Sequence, residues 1–267
     1  MMMATRAFLT RDLRVAWSYR FSFFFQNASL FFSVLSLKFV SDLLGQSQPD
    51  SLTKYGGDYF SFVLVGMAIT LMAYPVTKSF AGGVRANQVT GTFEAMLTTR
   101  TSGVSVVMNA ALYPIIVAFV ELVLILLIGG IALGAAFSFA HVALVLLVVA
   151  MTMAVLVGIG LLSAAFAIAF KQNEPLTSAF LAASLLVSGI MYPTSVLPGW
   201  LGHIAPLLPL THSAELSRML MLHGATLGQV GGHFAALGAF CLLLPVGLFT
   251  LNYAINWARR TGSLSEY

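Results

Sequence analysis

The chain has 267 residues, of which 59% are hydrophobic and only 8% charged, with a formal net charge of +4 at pH 7. An ordinary soluble domain carries roughly 25% charged residues, so this chain has too few to coat a globule of its size and reads as an integral membrane protein. Its basic residues are dispersed instead of forming a patch interleaved with aromatics, which excludes a nucleic-acid partner, and its single cysteine, Cys241, excludes an intrachain disulfide and the usual multi-cysteine zinc sites.

At the N-terminus, Arg6, Thr10, Arg14 and Ser18 share one helical stripe with Arg11 beside them. Leu9, Leu13 and Ala16 form another, and Trp17 and Tyr19 stand where the membrane begins. The pattern predicts an interfacial helix over 1–20 lying along the cytoplasmic leaflet, with Asp12 falling off the basic stripe. The apolar run 21–44 that follows is too long for a signal-peptide core of roughly 7–15 residues, and no small-x-small cleavage site precedes the polar stretch 46–50. It reads as a retained first span.

Five further apolar runs lie at 59–80, 104–133, 141–170, 176–192 and 234–257. All six approach or exceed the roughly 20 residues that cross a bilayer as helix, and none alternates with the period of two expected of a barrel strand. The expectation is an all-α integral membrane protein with six transmembrane helices.

Between the second and third runs lies a polar island, 84–100. Thr90 or Thr92 is placed to cap a short helix there, with Glu94 near its N-terminus and Arg100 near its C-terminus complementing the helix dipole. Phe93, Met96 and Leu97 would then offer an apolar face to a groove on another protein. The loops at 45–57, 135–140 and 171–175 are too short for a soluble domain, and no repeat or linker divides the chain, so 1–267 reads as one domain. From 188 to 224, Pro193, Pro198, Pro206 and Pro209 stand among apolar residues and Trp200. Such a segment cannot be a continuous helix and is too apolar for a free loop, so it predicts a broken, partly re-entrant hairpin at the outer leaflet between spans 5 and 6.

Orientation follows from Lys and Arg in the loops. With the N-terminus cytoplasmic, one side receives Arg6, Arg11, Arg14, Arg20, Lys78, Arg85, Arg100, Lys171, Arg259 and Arg260. The other receives Lys54 and Arg218, with Lys38 inside the first span and Asp58, like Lys54, a boundary anchor. Six spans then put both termini and the polar island in the cytoplasm. Glu121 is the one acidic residue deep in a span; a charge there costs roughly 2.5–3.5 kcal/mol on insertion scales, so it should face a helix, the bundle interior or water.

No phosphate-binding GxxxxGK[ST], dinucleotide GxGxxG or HExxH motif is present, so this chain cannot by itself couple nucleotide hydrolysis to anything. The five histidines lack metal-ligand spacing apart from a loose His212-x-x-Glu215, and no Ser-His or paired-Asp constellation marks an enzyme.

Two regions together carry a resemblance. Val89-Thr90-Gly91-Thr92-Phe93-Glu94-Ala95-Met96-Leu97-Thr98-Thr99-Arg100 is similar to the cytoplasmic "GTLE-x-LL-x-TP" coupling segment of type-2 ABC exporter permeases, with Phe93 where Leu is usual and Arg100 where the family often has Pro. Ser188-Gly189-Ile190-Met191-Tyr192-Pro193 through Pro198, Trp200 and Pro209 resembles that family's outward-facing hairpin. The basic N-terminal helix and the span count fit as well, so the resemblance covers nearly the whole chain.

The resemblance implies a permease subunit, not an enzyme, that moves a lipid, drug-like metabolite or lipid-linked glycan out across the inner membrane. It assigns the segment 84–102, with Gly91, Thr92, Phe93, Glu94, Met96, Leu97 and Arg100, to coupling with a separate ATPase. ATP and magnesium belong to that partner, and this chain binds no cofactor or metal. Two permeases, identical or paralogous, are expected to pair with two ATPases. The small residues Gly129-Gly130, Gly134-Ala135-Ala136, Gly158-x-Gly160 and Ser163-Ala164-Ala165 suit close helix approach between or within subunits. The competing class is an ion-coupled secondary transporter that uses Glu121 and the broken hairpin.

Overall fold

The computed structural model describes residues 2–44, 50–56, 58–99, 101–138, 140–170, 175–225 and 227–261. Among the described residues every regular element is a helix. The apolar runs require this, because in hydrocarbon each backbone N–H and C=O must find its partner without water.

Helix α1 (Met2–Ser18) meets α2 (Arg20–Leu44) at Tyr19, whose N–H still reaches the Val15 and Ala16 carbonyls at 3.1 Å. Helix α3 (Tyr59–Val89) begins at Asp58, whose side chain accepts from the N–H groups of Phe60 at 3.2 Å and Ser61 at 3.0 Å. Asp58 is therefore a helix cap and not the boundary anchor its position suggested. The helix also runs past the apolar stretch that ends at Phe80, so the first residues of the polar island are its last turns.

Helix α4 (Thr92–Leu97) follows, then α5 (Gly103–Leu127) with a π-helical turn at Ile128–Ala132, and α6 (Val142–Phe170). Helix α7 (Pro175–Val187) has 13 residues, about 20 Å of helix, well short of a hydrocarbon core of about 30 Å. The fifth apolar run, 176–192, therefore yields a helix that stops early, and the chain continues through α8 (Gly199–Ile204) and α9 (Pro209–Leu222). The last run is divided between α10 (Leu227–Phe240) and α11 (Leu243–Thr261). Pro245 has no N–H to offer the Cys241 carbonyl, which interrupts the helical ladder at Cys241 and Leu242.

Among the described residues, five stretches have the length and apolarity to cross a membrane: α2, α3, α5 with its π-turn, α6, and the α10–α11 pair. Helix α7 is a shorter sixth. Helix α3 is the axis of the bundle, with 72% of its most apolar window buried against 11% for α2 at the periphery. It is flanked by α5 and α6, α11 packs along α6, and α9 closes one end against α3 and α6. We call this the hairpin end and the opposite one the α4 end.

Met72, Val76, Ile125 and Leu156 are fully buried along the axis. Phe80, Val84, Val107, Leu161 and Ile255 form a second cluster towards the α4 end. A Cβ at Gly158 would lie 2.5 Å from the Leu243 carbonyl carbon, so this small residue serves packing within the subunit. Helix α2 leaves Phe21, Phe24, Phe25, Phe32 and Phe39 exposed, an aromatic face suited to hydrocarbon.

Candidate functional site

The polar island resolves into the end of α3, a tight turn and α4. The Thr90 N–H bonds to the Ala86 carbonyl at 3.2 Å, and the Gly91 N–H to the Gln88 carbonyl at 2.9 Å. Gly91 has φ of +67°, a left-handed conformation that a side chain disfavours and that commonly closes helices. The two threonines do not cap α4. The Thr90 hydroxyl bonds back to the Ala86 carbonyl at 3.0 Å and lies 2.8 Å from the Thr92 hydroxyl, so both finish α3 instead. The glycine makes the chain reverse at once, and a reversing chain leaves the hydroxyls beside the helix they have just left.

Leu97 is only 9% exposed and packs with Phe80, Val84, Val106 and Ile255, with Met96 half-buried against the same cluster. The expectation that Leu97 is offered outward is corrected: this side of α4 anchors the helix to its own bundle. Arg259, near the end of α11, donates to the Leu97 carbonyl at 3.2 Å and ties the last turn of α4 down. The side chains of Phe93 and Glu94, and all of Arg100, lie outside the described residues.

At the hairpin end the helix breaks are organised by one residue. Arg218 on α9 is 2% exposed and donates from Nε to the Phe62 carbonyl at 3.0 Å, from Nη1 to the Gly189 carbonyl at 2.7 Å and from Nη2 to the Ile190 carbonyl at 2.7 Å. Its guanidinium carbon lies 3.6 Å from the centroid of the Phe62 ring. Arg218 is therefore not the loop anchor expected from its charge. It supplies donors to carbonyls freed where α7 ends, and so ties α3, α7 and α9 together. Gly66 makes room for this, because a Cβ there would fall 2.4 Å from the Ile190 oxygen and 2.5 Å from Nη2 of Arg218.

One turn earlier on α9, Glu215 accepts from Lys54 Nζ at 2.5 Å and from the Tyr55 hydroxyl at 2.8–2.9 Å. Burial and the neighbouring Glu215 carboxylate push the Tyr55 hydroxyl up to about 12. Burial opposes the charge of Lys54, but the hydrogen bond and negative charge of Glu215, together with Tyr55, outweigh this and raise it. His212 stands apart from Glu215: its Nε2 lies 2.9 Å from the Pro206 carbonyl and its Nδ1 lies 3.0 Å from His233 Nδ1. Of the expected hairpin residues, Pro209 opens α9 and is buried with Pro193, whereas Pro198 precedes α8 and Trp200, 68% exposed, lies at the tip.

The third site is intramembrane. Glu121 on α5 is 7% exposed, and its Oε1 accepts from Gln26 Nε2 on α2 at 2.6 Å. Both line a cleft of about 490 Å³ that reaches Arg11 and Asp12 on α1. Arg6, Arg11, Arg14 and Trp17 of α1 are exposed, and Arg11 pairs with Asp12 at 2.8 Å. Sequence reasoning found Glu121 but not Gln26, and found the hairpin but not the residue that holds it. The signal available was Glu215-x-x-Arg218, two opposite charges one turn apart in a run too apolar for solvated ones.

These features define a multi-pass, all-helical membrane protein. Residues 3–222 match the ABC-2 type transporter family, and the chain belongs to that family. Membership implies a transport subunit that partners an ABC ATPase. The chain is also 40% identical over 65 residues to Nodulation protein J of Rhizobium meliloti (strain 1021), which covers 24% of this chain and 23% of that protein. The chain thus aligns with about a quarter of that relative's length.

Proposed function

We propose that this chain is the permease of an ATP-driven exporter that moves a hydrophobic or amphiphilic molecule, such as a lipid, a drug-like metabolite or a lipid-linked glycan, outward across the inner membrane. The α4 end is cytoplasmic, with both termini, as the Lys and Arg asymmetry favours, and the hairpin dips into the outer leaflet. Two copies, or this chain and a paralogue, form the pathway, and two ATPases bearing ATP and magnesium dock on α4.

The observation that carries this reading is α4 itself: a separate helix clamped between α3, α5 and α11 in a chain with no nucleotide-binding motif of its own. A helix held at both flanks moves its neighbours when it is pushed. Gly91 and Thr92 set its direction and Met96 and Leu97 its footing, which leaves Phe93, Glu94 and Arg100 for the ATPase.

The test is to purify the tagged full-length chain from its host membrane and to identify and assay the ATPase recovered with it. The expected result is an ABC ATPase with the wild type, and loss of most of it in Phe93→Ala/Glu94→Ala at unchanged membrane insertion. Recovery of no ABC ATPase, with transport that collapses when an ion gradient is removed, would establish the secondary transporter instead.

A further inference from the structure

The cleft between α1, α2, α3 and α5 is a built site and not a packing fault. Its volume of about 490 Å³ lies within the roughly 300–1,000 Å³ usual for small-molecule sites. Its walls are apolar, with Val15, Pro75 and Val117 among them, while its charged groups stand apart. Arg11 and Asp12 pair with each other on α1. Glu121 lies seven residues beyond Pro114 on α5, about 10 Å further along the helix.

The deepest charged group in this cleft, Glu121, keeps an acceptor to spare. The carboxylate of Glu121 uses Oε1 for Gln26, and its Oε2 has no hydrogen-bond partner among the described residues. Pro114 has no N–H to return to the carbonyl of Ala110, and both residues line the cleft. A buried carboxylate with a single amide donor is an expensive arrangement in a membrane, and one that persists when a cavity brings it a partner.

We infer that this cleft binds an amphiphile whose head group donates hydrogen bonds, a primary amine or hydroxyl, with the head at Glu121 and the apolar tail against the walls between α1 and α5. As a substrate site it deepens the exporter reading and rests on it: on that orientation the cleft is reached from the cytoplasmic leaflet beside the α1–α2 elbow. As a binding site it rests on the cleft alone.

The test uses the purified full-length chain in phosphatidylcholine nanodiscs and three dodecyl probes, each with a photoreactive diazirine next to its head group. The heads are a primary amine, an alcohol and a methyl ether, the last of which only accepts. After irradiation, labelled peptides are located by mass spectrometry. The amine and alcohol should label residues 15–26 and 110–121 at least about fivefold more than the ether, the discrimination that about 1 kcal/mol provides. Glu121→Gln should erase the amine's advantage over the ether, and Val117→Trp should block all three probes in the cleft. Labelling of the exposed α11 residues Phe249 and Tyr253 should remain unchanged.

Equal labelling by amine and ether in the wild type overturns the inference without any variant. So does an amine preference that survives Glu121→Gln, or labelling confined to α11. No ATP or partner is needed. Loss of cleft labelling beside normal ATPase capture therefore refutes this site alone, and intact labelling beside failed capture refutes the exporter reading alone.

Discussion

Replacing Arg218 with Met removes the donors to three carbonyls and the cation over Phe62 in one step. Hydrogen bonds from a charged donor contribute about 1.5–3 kcal/mol each, so the three supply roughly 5–9 kcal/mol before costs. Burial works against this: it lowers the guanidinium to about 10 from its ordinary 12.5, even with Glu215 and Tyr55 favouring the charge. That displacement is worth about 3 kcal/mol at neutral pH. The difference, about 2–6 kcal/mol, is the destabilisation expected of Arg218→Met.

Arg218→Lys keeps the charge but has no planar fork to serve three carbonyls from two segments, so about half the loss should remain. Unfolding in mixed micelles with increasing sodium dodecyl sulfate, followed by far-ultraviolet circular dichroism, measures both. Because Gly66 is small to admit this side chain, Gly66→Ala and Arg218→Met should combine to less than their sum. An Arg218→Met protein within about 0.5 kcal/mol of wild type would refute the keystone role.

Gly91→Val should cost about 1–2 kcal/mol in the same unfolding assay, wholly through the backbone, since a Cβ there meets nothing within 4 Å while φ is +67°. Leu97→Ala should cost about 2–3 kcal/mol, because the side chain fills the second core cluster; unchanged stability together with lost ATPase capture would mean that it faces the partner. Ser184→Ala and Ser188→Ala should each be neutral or stabilising by up to about 1 kcal/mol, because both hydroxyls are buried with no hydrogen-bond partner among the described residues. A loss above that size in either would mean that the hydroxyl has a partner in the membrane.

What was legible in the sequence was set by local physics. The run around Met72 and Val76 is helical and buried because nothing else can be done with it in hydrocarbon, and Gly91 closes a helix because few residues accept its conformation. The site was legible as a segment but not as a geometry. Thr90 and Thr92 have the chemistry of caps for α4, and only the sharpness of the turn decides that they serve α3. Leu97 carries no mark of facing inward or outward until α11 is brought beside it. Arg218 was misplaced for the same reason. Positive charge sorts loops when solvent surrounds it, and here the surroundings are carbonyls from residues 29 and 156 positions away in the chain. Gln26 and Glu121, 95 residues apart, meet only because α2 and α5 are neighbours.

Helix α3 runs from Tyr59 to Val89, about 46 Å of backbone, with the Phe62 carbonyl held by Arg218 near one end and the turn into α4 at the other. It behaves as a strut pinned at both tips. Compression or rotation applied at Thr90 must cross Pro75 on its way to Phe62, a compliant joint where the ladder loses a rung. The stiffness of that joint sets how much of a stroke made at one face of the bundle survives to unseat the hairpin at the other.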